Sequence, residues 1–438
     1  MSFVNKTIYF CLGVGATSSL LALVFGGRVL SMLNIFLVLS FFDLIVSTKR
    51  KGANIHIRKS HSKLFLMWMT VGLISSLYGI FRFMEYEEFM TASLGSFIKI
   101  IIYLLYFYLL SINADYQSRI KHLIGGIKFG IILNLIWCIA DAGLFYTTSQ
   151  SLTNTVFKSY IEAMDMRLGM ASIIDGFMIR SVGLNNDPAT VGFFSIVVAA
   201  YSYLTRKYSI LILSVLSSFA CVSFTAIVGI MMVSFYYLFF GYFNIKKKFT
   251  LLFSVIFISI VGFLYFNYSD SDVAVGVRTS LEMRAEAKMD GAATTEVREF
   301  YIKNFLPAVA TSPDALIIGT GFNTASFPYF SLGLQNHEEF RPFDMENTYI
   351  ATFFDIGLIG LFLFLSFYFM LFKKTKVCLK NGNQGDFPRV VNATSISALI
   401  SFLFYHYTLY SVLMFISIAA ILINCNKIIT DVQLKIKR

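Results

Sequence analysis

Charge is scarce in this chain: Asp, Glu, Lys and Arg make up only 14% of its 438 residues, against 57% hydrophobic ones. A soluble protein of that length could not cover itself with so few charges, and a mean hydropathy of +0.70 excludes one. Cysteine is scarce as well. Cys11, Cys138, Cys221, Cys378 and Cys425 show no C-x-x-C spacing and none falls in a long loop, so neither a disulfide framework nor a zinc site is implied. The motifs of soluble enzymes are missing: no G-x-S-x-G, no Walker lysine loop, no H-E-x-x-H and no cluster of metal ligands. No internal repeat and no low-complexity segment is present. What these absences leave is an integral membrane protein.

Windows of about twenty apolar residues, enough to cross roughly 30 Å of hydrocarbon, recur near 7–26, 28–47, 64–84, 97–114, 123–146, 188–204, 208–222, 224–243, 249–266, 349–372, 392–408 and 410–425. The expected fold is an all-α polytopic membrane protein of about twelve transmembrane helices with two long outer-face (periplasmic) loops. Spans 1–5 occupy 1–146, the first outer loop 147–187, spans 6–9 188–266, the large outer loop 267–348, and spans 10–12 with a cytoplasmic tail 349–438. The region 208–243 reads as two short spans or as one span and a re-entrant piece. Thr7–Gly27 is expected to be a first span rather than a signal peptide, because equally apolar segments follow it and no cleavage site is convincing.

A net charge of +11 would point to nucleic acid in a soluble protein. Here the basic residues gather in short loops: Lys49 to Lys63, Arg119 with Lys121, Arg206-Lys207, Lys246 to Lys248, Lys373 to Arg389, and the tail. That is the positive-inside pattern, which places both termini in the cytoplasm and the acidic turn Glu85-Tyr86-Glu87-Glu88 outside. No nucleic acid is expected as a partner. Charges inside apolar segments would mark a transport path, but Asp43, Lys99, Asp141 and Asp355 all fall near predicted span ends.

The polar excursion from Asn267 to Thr348 is long for a mere connection. Val297, Phe300, Tyr301 and Phe305 repeat within it at helical spacing, which predicts a short surface helix with Arg298 off its apolar face. Gly319-Thr320-Gly321-Phe322 then allows a tight turn. The first loop ends in Arg180-Ser181-Val182-Gly183-Leu184-Asn185-Asn186-Asp187-Pro188, turn and cap residues ahead of a helix start, which puts Arg180 at the membrane surface. The outer-face arginines are therefore Arg167, Arg180, Arg278, Arg284, Arg298 and Arg341, and His337 is the one outer-face histidine. A guanidinium fork binds phosphate oxygens bidentately and stays charged, so arginines from two loops would make a diphosphate clamp. The competing reading is an interfacial anchor to headgroups or to nearby acids.

These residues resemble the O-antigen polymerase and ligase superfamily. The likeness rests on Arg180-x-x-Gly183 before an Asn/Pro helix start, on Glu296-Val297-Arg298 in a large loop followed by Gly319 and Gly321, and on Glu346-Asn347 leading into a span with Gly357 and Gly360. O-antigen ligases of that family typically carry a histidine where this chain has Glu346, which favours the Wzy-type polymerase. The family also often has an arginine after the serines between the seventh and eighth spans, where Ser223-Phe224-Thr225-Ala226 offers none. The resemblance implies a bacterial inner-membrane enzyme that polymerises undecaprenyl-diphosphate-linked repeat units by metal-independent glycosyl transfer, with no cofactor. It implies a chain-length regulator and a flippase as neighbours in the membrane. Arg180 and Arg298 are then the catalytic cations and Glu346 the acceptor's base, although Asp344, Glu346 and Asn347 could equally cap the following helix. Arg167, Arg284, Arg341, His337 and Asn347 are the expected substrate contacts. The alternatives are an O-antigen ligase and a polysaccharide flippase.

Overall fold

The computed structural model describes residues 3–25, 28–51, 60–113, 115–163, 172–174, 178–185, 188–221, 223–240, 265, 268–269, 275, 302–332, 347–380 and 386–401. The chain is a multi-pass membrane protein. Among the described residues five helices are long and apolar enough to cross a bilayer: Met32–Lys49, Leu64–Arg82, Glu87–Ile112, Ser118–Thr148 and Thr348–Val377. The chain divides into two compact units, one of residues 1–16, 36–126 and 297–438, the other of residues 17–35 and 127–296.

The N-terminal third departs from the expected spans. Helix α1 runs only over Phe3–Thr17, and a two-stranded antiparallel ribbon, β1 (Ala22–Phe25) and β2 (Arg28–Ser31), stands where a helix was expected, with Ala22 opposite Ser31. At about 1.5 Å per residue α1 reaches roughly 22 Å, short of the hydrocarbon thickness. The reason is local: two β-prone runs flank Gly26-Gly27, a two-residue hairpin signature. Helices α2 (Met32–Lys51), α3 (Ser60–Arg82), α4 (Glu87–Ile112) and α5 (Tyr116–Thr148) follow. α4 begins ten residues before the expected 97, because Glu87 and Glu88 fall in its first turn, where they complement the helix dipole. Arg119, expected in an exposed basic loop, is instead buried in the first turn of α5. Its Nε donates to Asp43 Oδ2 at 2.8 Å and to the Tyr9 hydroxyl at 3.1 Å, and its Nη1 donates to Asn113 Oδ1.

The described residues of the first loop include α6 (Leu152–Val156), α7 (Lys158–Ala163) and a second ribbon, β3 (Ser172–Ile174) with β4 (Met178–Arg180). Among the described residues the fold is thus overwhelmingly helical, with two short two-stranded ribbons. Three helices then pack together: α8 (Pro188–Thr205), α9 (Tyr208–Ala220) and α10 (Phe224–Phe240). Their contacts use small and polar residues, as helices must where lipid removes the hydrophobic drive. Ser195 and Ser217 hydroxyls lie 2.9 Å apart, and Ser214 Oγ donates to the Ser195 carbonyl at 2.8 Å. With 13 residues, α9 reaches only about 20 Å, so the described part of the region 208–243, up to 240, holds a short helix followed by a longer one.

Beyond it come α11 (Phe305–Thr311), α12 (Phe327–Phe330), α13 (Thr348–Lys380) and α14 (Asp386–Ser401). The surface helix expected over Val297–Phe305 lies outside the described residues up to Tyr301, as do the spans 249–266, Tyr265 apart, and 410–425 and the end of 392–408. α3, α4, α13 and α14 form the core of the first unit, where Trp68 stacks with Phe367 at 6.3 Å and Phe65 meets Phe107 at 5.3 Å.

Candidate functional site

The stretch Arg180–Asn185, which enters α8, is suspended from one face of α5. Asp141 and Asn134 are seven residues apart, two turns, and so share that face. Asp141 Oδ2 accepts from Ser181 Oγ at 2.6 Å, while Oδ1 accepts from Ser151 Oγ at 2.9 Å and from the Thr153 amide at 3.0 Å. Asn134 Oδ1 accepts from the Leu184 amide at 2.9 Å and from Asn185 Nδ2 at 2.6 Å. Its Nδ2 donates to the Thr17 carbonyl at 2.7 Å and to Ser18 Oγ at 2.9 Å. Between the two anchors the chain turns at Gly183, whose φ is +62° and whose missing Cβ would sit 3.1 Å from the Asn134 carbonyl.

Arg180 stands at the head of this pinned stretch. It pairs across the ribbon with Ser172 and is half-buried. Its Nε is fully buried yet makes no hydrogen bond, and no ion pair among the described residues involves it. The nearby carboxylate is no substitute, since Asp141 takes the hydroxyl of Ser181 rather than the guanidinium. An unsatisfied buried donor costs about 1–3 kcal/mol. An anion delivered to the guanidinium would recover that energy through charge-assisted bonds.

The other unit holds the Gly-x-Gly turn against a broken helix. α13 leaves helical geometry at Gly357, with φ 71° and ψ −178°. Carbonyls freed by the break are taken up from outside: Phe354 O accepts from the Thr320 amide at 2.6 Å, and Asp355 O accepts from the Gly321 amide at 3.2 Å and from Ser75 Oγ. The Asp355 carboxylate accepts from the Thr324 amide at 2.9 Å. Backbone touches backbone here. A Cβ at Gly319 would lie 2.2 Å from the Asp355 carbonyl oxygen, and one at Gly357 would lie 2.2 Å from that of Ile317. Gly79 approaches Gly321, and Phe322 reaches Gly72, ten residues inside the end of α3. The backbone of the turn thus meets α3 at Gly79, three residues inside its end, and the Phe322 ring reaches roughly 15 Å down that helix. This non-helical backbone is buried in protein and its polar groups are paired, the condition under which such backbone can lie beside membrane helices.

Of the residues proposed from sequence, Arg180 and Asn347 are described; Arg167, Arg284, Arg298, Arg341, His337 and Glu346 lie outside the described residues. Asn347 is a helix cap: its Oδ1 accepts from the amides of Tyr349 at 2.9 Å and Ile350 at 3.1 Å. One arginine is missed by the sequence reading. Arg82 ends α3, donates to Ser312 Oγ at 3.3 Å and lies 5.4 Å from the Phe327 ring centre, fastening α3 to the residues around α11 and α12. It falls inside the expected span 64–84, although its place three residues before Glu85 marks it as terminal. Asp141 and Asp355 are buried and Asp43 is nearly so, each bonded to fixed protein groups.

Residues 209–365 match the family model described as O-antigen ligase. The match takes in α9, α10, the Gly319–Gly321 turn and the break at Gly357, and stops short of Arg180. No curated protein matches the chain. Fold and match together define a multi-pass membrane protein, similar over that stretch to the O-antigen ligases. The similarity supports the wider superfamily of O-antigen ligases and polymerases, membrane glycosyltransferase-like enzymes that act on lipid-linked polysaccharide, without separating one from the other.

Proposed function

We propose that the protein is the polymerase member of this pair, joining undecaprenyl-diphosphate-linked repeat units at the outer face of the bacterial inner membrane. The observation that carries the reading is the buried, unpartnered Nε of Arg180 on a stretch pinned at both ends. In the reaction the bond between the sugar's anomeric carbon and the carrier diphosphate breaks. A bond from that carbon to a hydroxyl of the acceptor repeat unit forms, and the hydroxyl proton passes to a base, for which Glu346 is the candidate. Negative charge grows on the departing diphosphate, and fixed arginines stabilise it without reorganisation. Arg180 supplies one such cation and Arg298 a second, with Arg167, Arg284, Arg341 and His337 as further substrate contacts. Glu346 in place of the ligases' histidine favours polymerisation over ligation. The flippase reading loses support because Asp43, Asp141 and Asp355 are all bonded within the protein rather than left to line a path.

A deletion strain tests the reaction type. Loss of a polymerase leaves single repeat units attached at the surface; loss of a ligase leaves lipid-linked polymer unattached; loss of a flippase strands single units on the cytoplasmic leaflet. Unchanged long chains would remove all of these readings. We further propose twelve spans with both termini inside. α13 is the candidate span between Ser326 and Asn383 among the described residues, so reporter fusions there should report outside and inside respectively, and agreement between them would overturn the map.

A further inference from the structure

We propose that Asp141 is a positioning residue that fixes the aim of Arg180, an inference that rests on the role given to that arginine above. Asp141 is completely buried in α5, and its two carboxylate oxygens fasten two different pieces of chain. Oδ1 holds the start of α6, where Ser151 is the N-cap and its hydroxyl both donates to Asp141 and accepts from the Asn154 amide at 3.1 Å. Trp137 Nε1 secures the same turn through Thr153 Oγ1 at 3.0 Å. Oδ2 holds Ser181, the residue next to Arg180, and this is the shorter bond at 2.6 Å. Ser181 is further tied by its amide to the Ala220 carbonyl at 3.2 Å. The backbone on which Arg180 rides is therefore leashed by a side chain that never touches the guanidinium.

The chemistry of the leash makes an asparagine informative. The Thr153 amide can only donate, so the carboxamide introduced by Asp141→Asn must turn its oxygen toward α6 and its NH2 toward Ser181. Volume and the α6 anchor are kept, while the Ser181 bond is reversed and the carboxylate's charge is lost. A displacement of about 1 Å in a catalytic group can cost 10²-fold. Asp141→Asn should therefore lower the rate at saturating substrate by roughly 10–100-fold, with little change in the half-saturating concentration.

The test is a double-mutant cycle in proteoliposomes, using lipid-linked repeat units extracted from the deletion strain and reading the initial rate of polymer formation. Expected is that Asp141→Asn with Arg180→Lys is no slower than Arg180→Lys alone, within about twofold, because one acts through the other. Rates that multiply, or an Asp141→Asn enzyme as fast as wild type while Arg180→Lys is slow, would overturn the positioning role and leave Arg180 standing. A fully active Arg180→Lys enzyme would instead remove the catalytic role of Arg180, and the inference with it. Should Asp141→Asn fail to insert, Ser181→Ala replaces it in the cycle, since it cuts the leash from the other end and leaves the buried carboxylate in place.

Discussion

Arg180→Lys is expected to insert at normal level and to lose chain elongation by on the order of 10²–10³, so that cells display mostly single-unit glycan. Lysine keeps the charge, so a role in headgroup anchoring would survive the change. What it cannot keep is the planar fork: a lysine has no Nε–H at the place where the arginine's donor is buried without a partner. Arg298→Lys is expected to behave alike and Arg278→Lys to resemble wild type. Chain-length analysis of surface polysaccharide at matched protein level reads all three. Full-length chains from Arg180→Lys would return that residue to the part of an interfacial anchor.

A second large effect is expected on stability. Gly319→Ala should abolish most folded protein, because its Cβ would meet the Asp355 carbonyl oxygen at 2.2 Å while the backbone holds φ at +86°. The left-handed conformation alone costs about 1–2 kcal/mol with a side chain present. Relieving the clash means drawing the turn away from α13, which leaves the Phe354 and Asp355 carbonyls without the Thr320 and Gly321 amides. Gly95→Ala and Gly143→Ala are the controls: a Cβ at either would meet nothing within 4 Å, both are helical, and alanine should be neutral or stabilising by about 0.5–1 kcal/mol. Thermal melting in detergent, followed by loss of the monodisperse peak, separates the cases. A Gly319→Ala protein that melts with the wild type would mean that the turn does not pack on the break.

Hydropathy places α3, α5 and α13 well, because a span must be apolar for its whole length whatever it packs against. It cannot see the ribbon at 22–31, since an average over some twenty residues does not distinguish a hairpin from a helix, and the Gly26-Gly27 signal is only two residues wide. Nor can it see that Arg119 is buried: a basic residue at a span end looks topogenic until Asp43 is found opposite it, 76 positions away in the chain. At the candidate site, Arg180 and the loop glycines are legible from turn chemistry. The anchoring roles of Asp141 and Asn134 are not, because a polar residue inside an apolar helix reveals nothing of the loop that will hang from it. Asn347 is half legible, since its place just before an apolar span suits a cap as well as a substrate contact.

The two anchors on α5 act as a ruler. A helix turns 100° per residue, so one residue gained or lost between Asn134 and Asp141 would swing the second anchor a quarter-turn off the face that holds Ser181, while leaving the helix itself intact. The spacing is under a constraint that not every intervening residue shares: Ile136, about half exposed, can vary among apolar side chains, whereas Trp137 is tied to Thr153 and Leu135 and Cys138 are buried. Over evolutionary time this stretch can drift at its exposed positions but not in length, and insertions must fall elsewhere in α5 or in the turns that follow it.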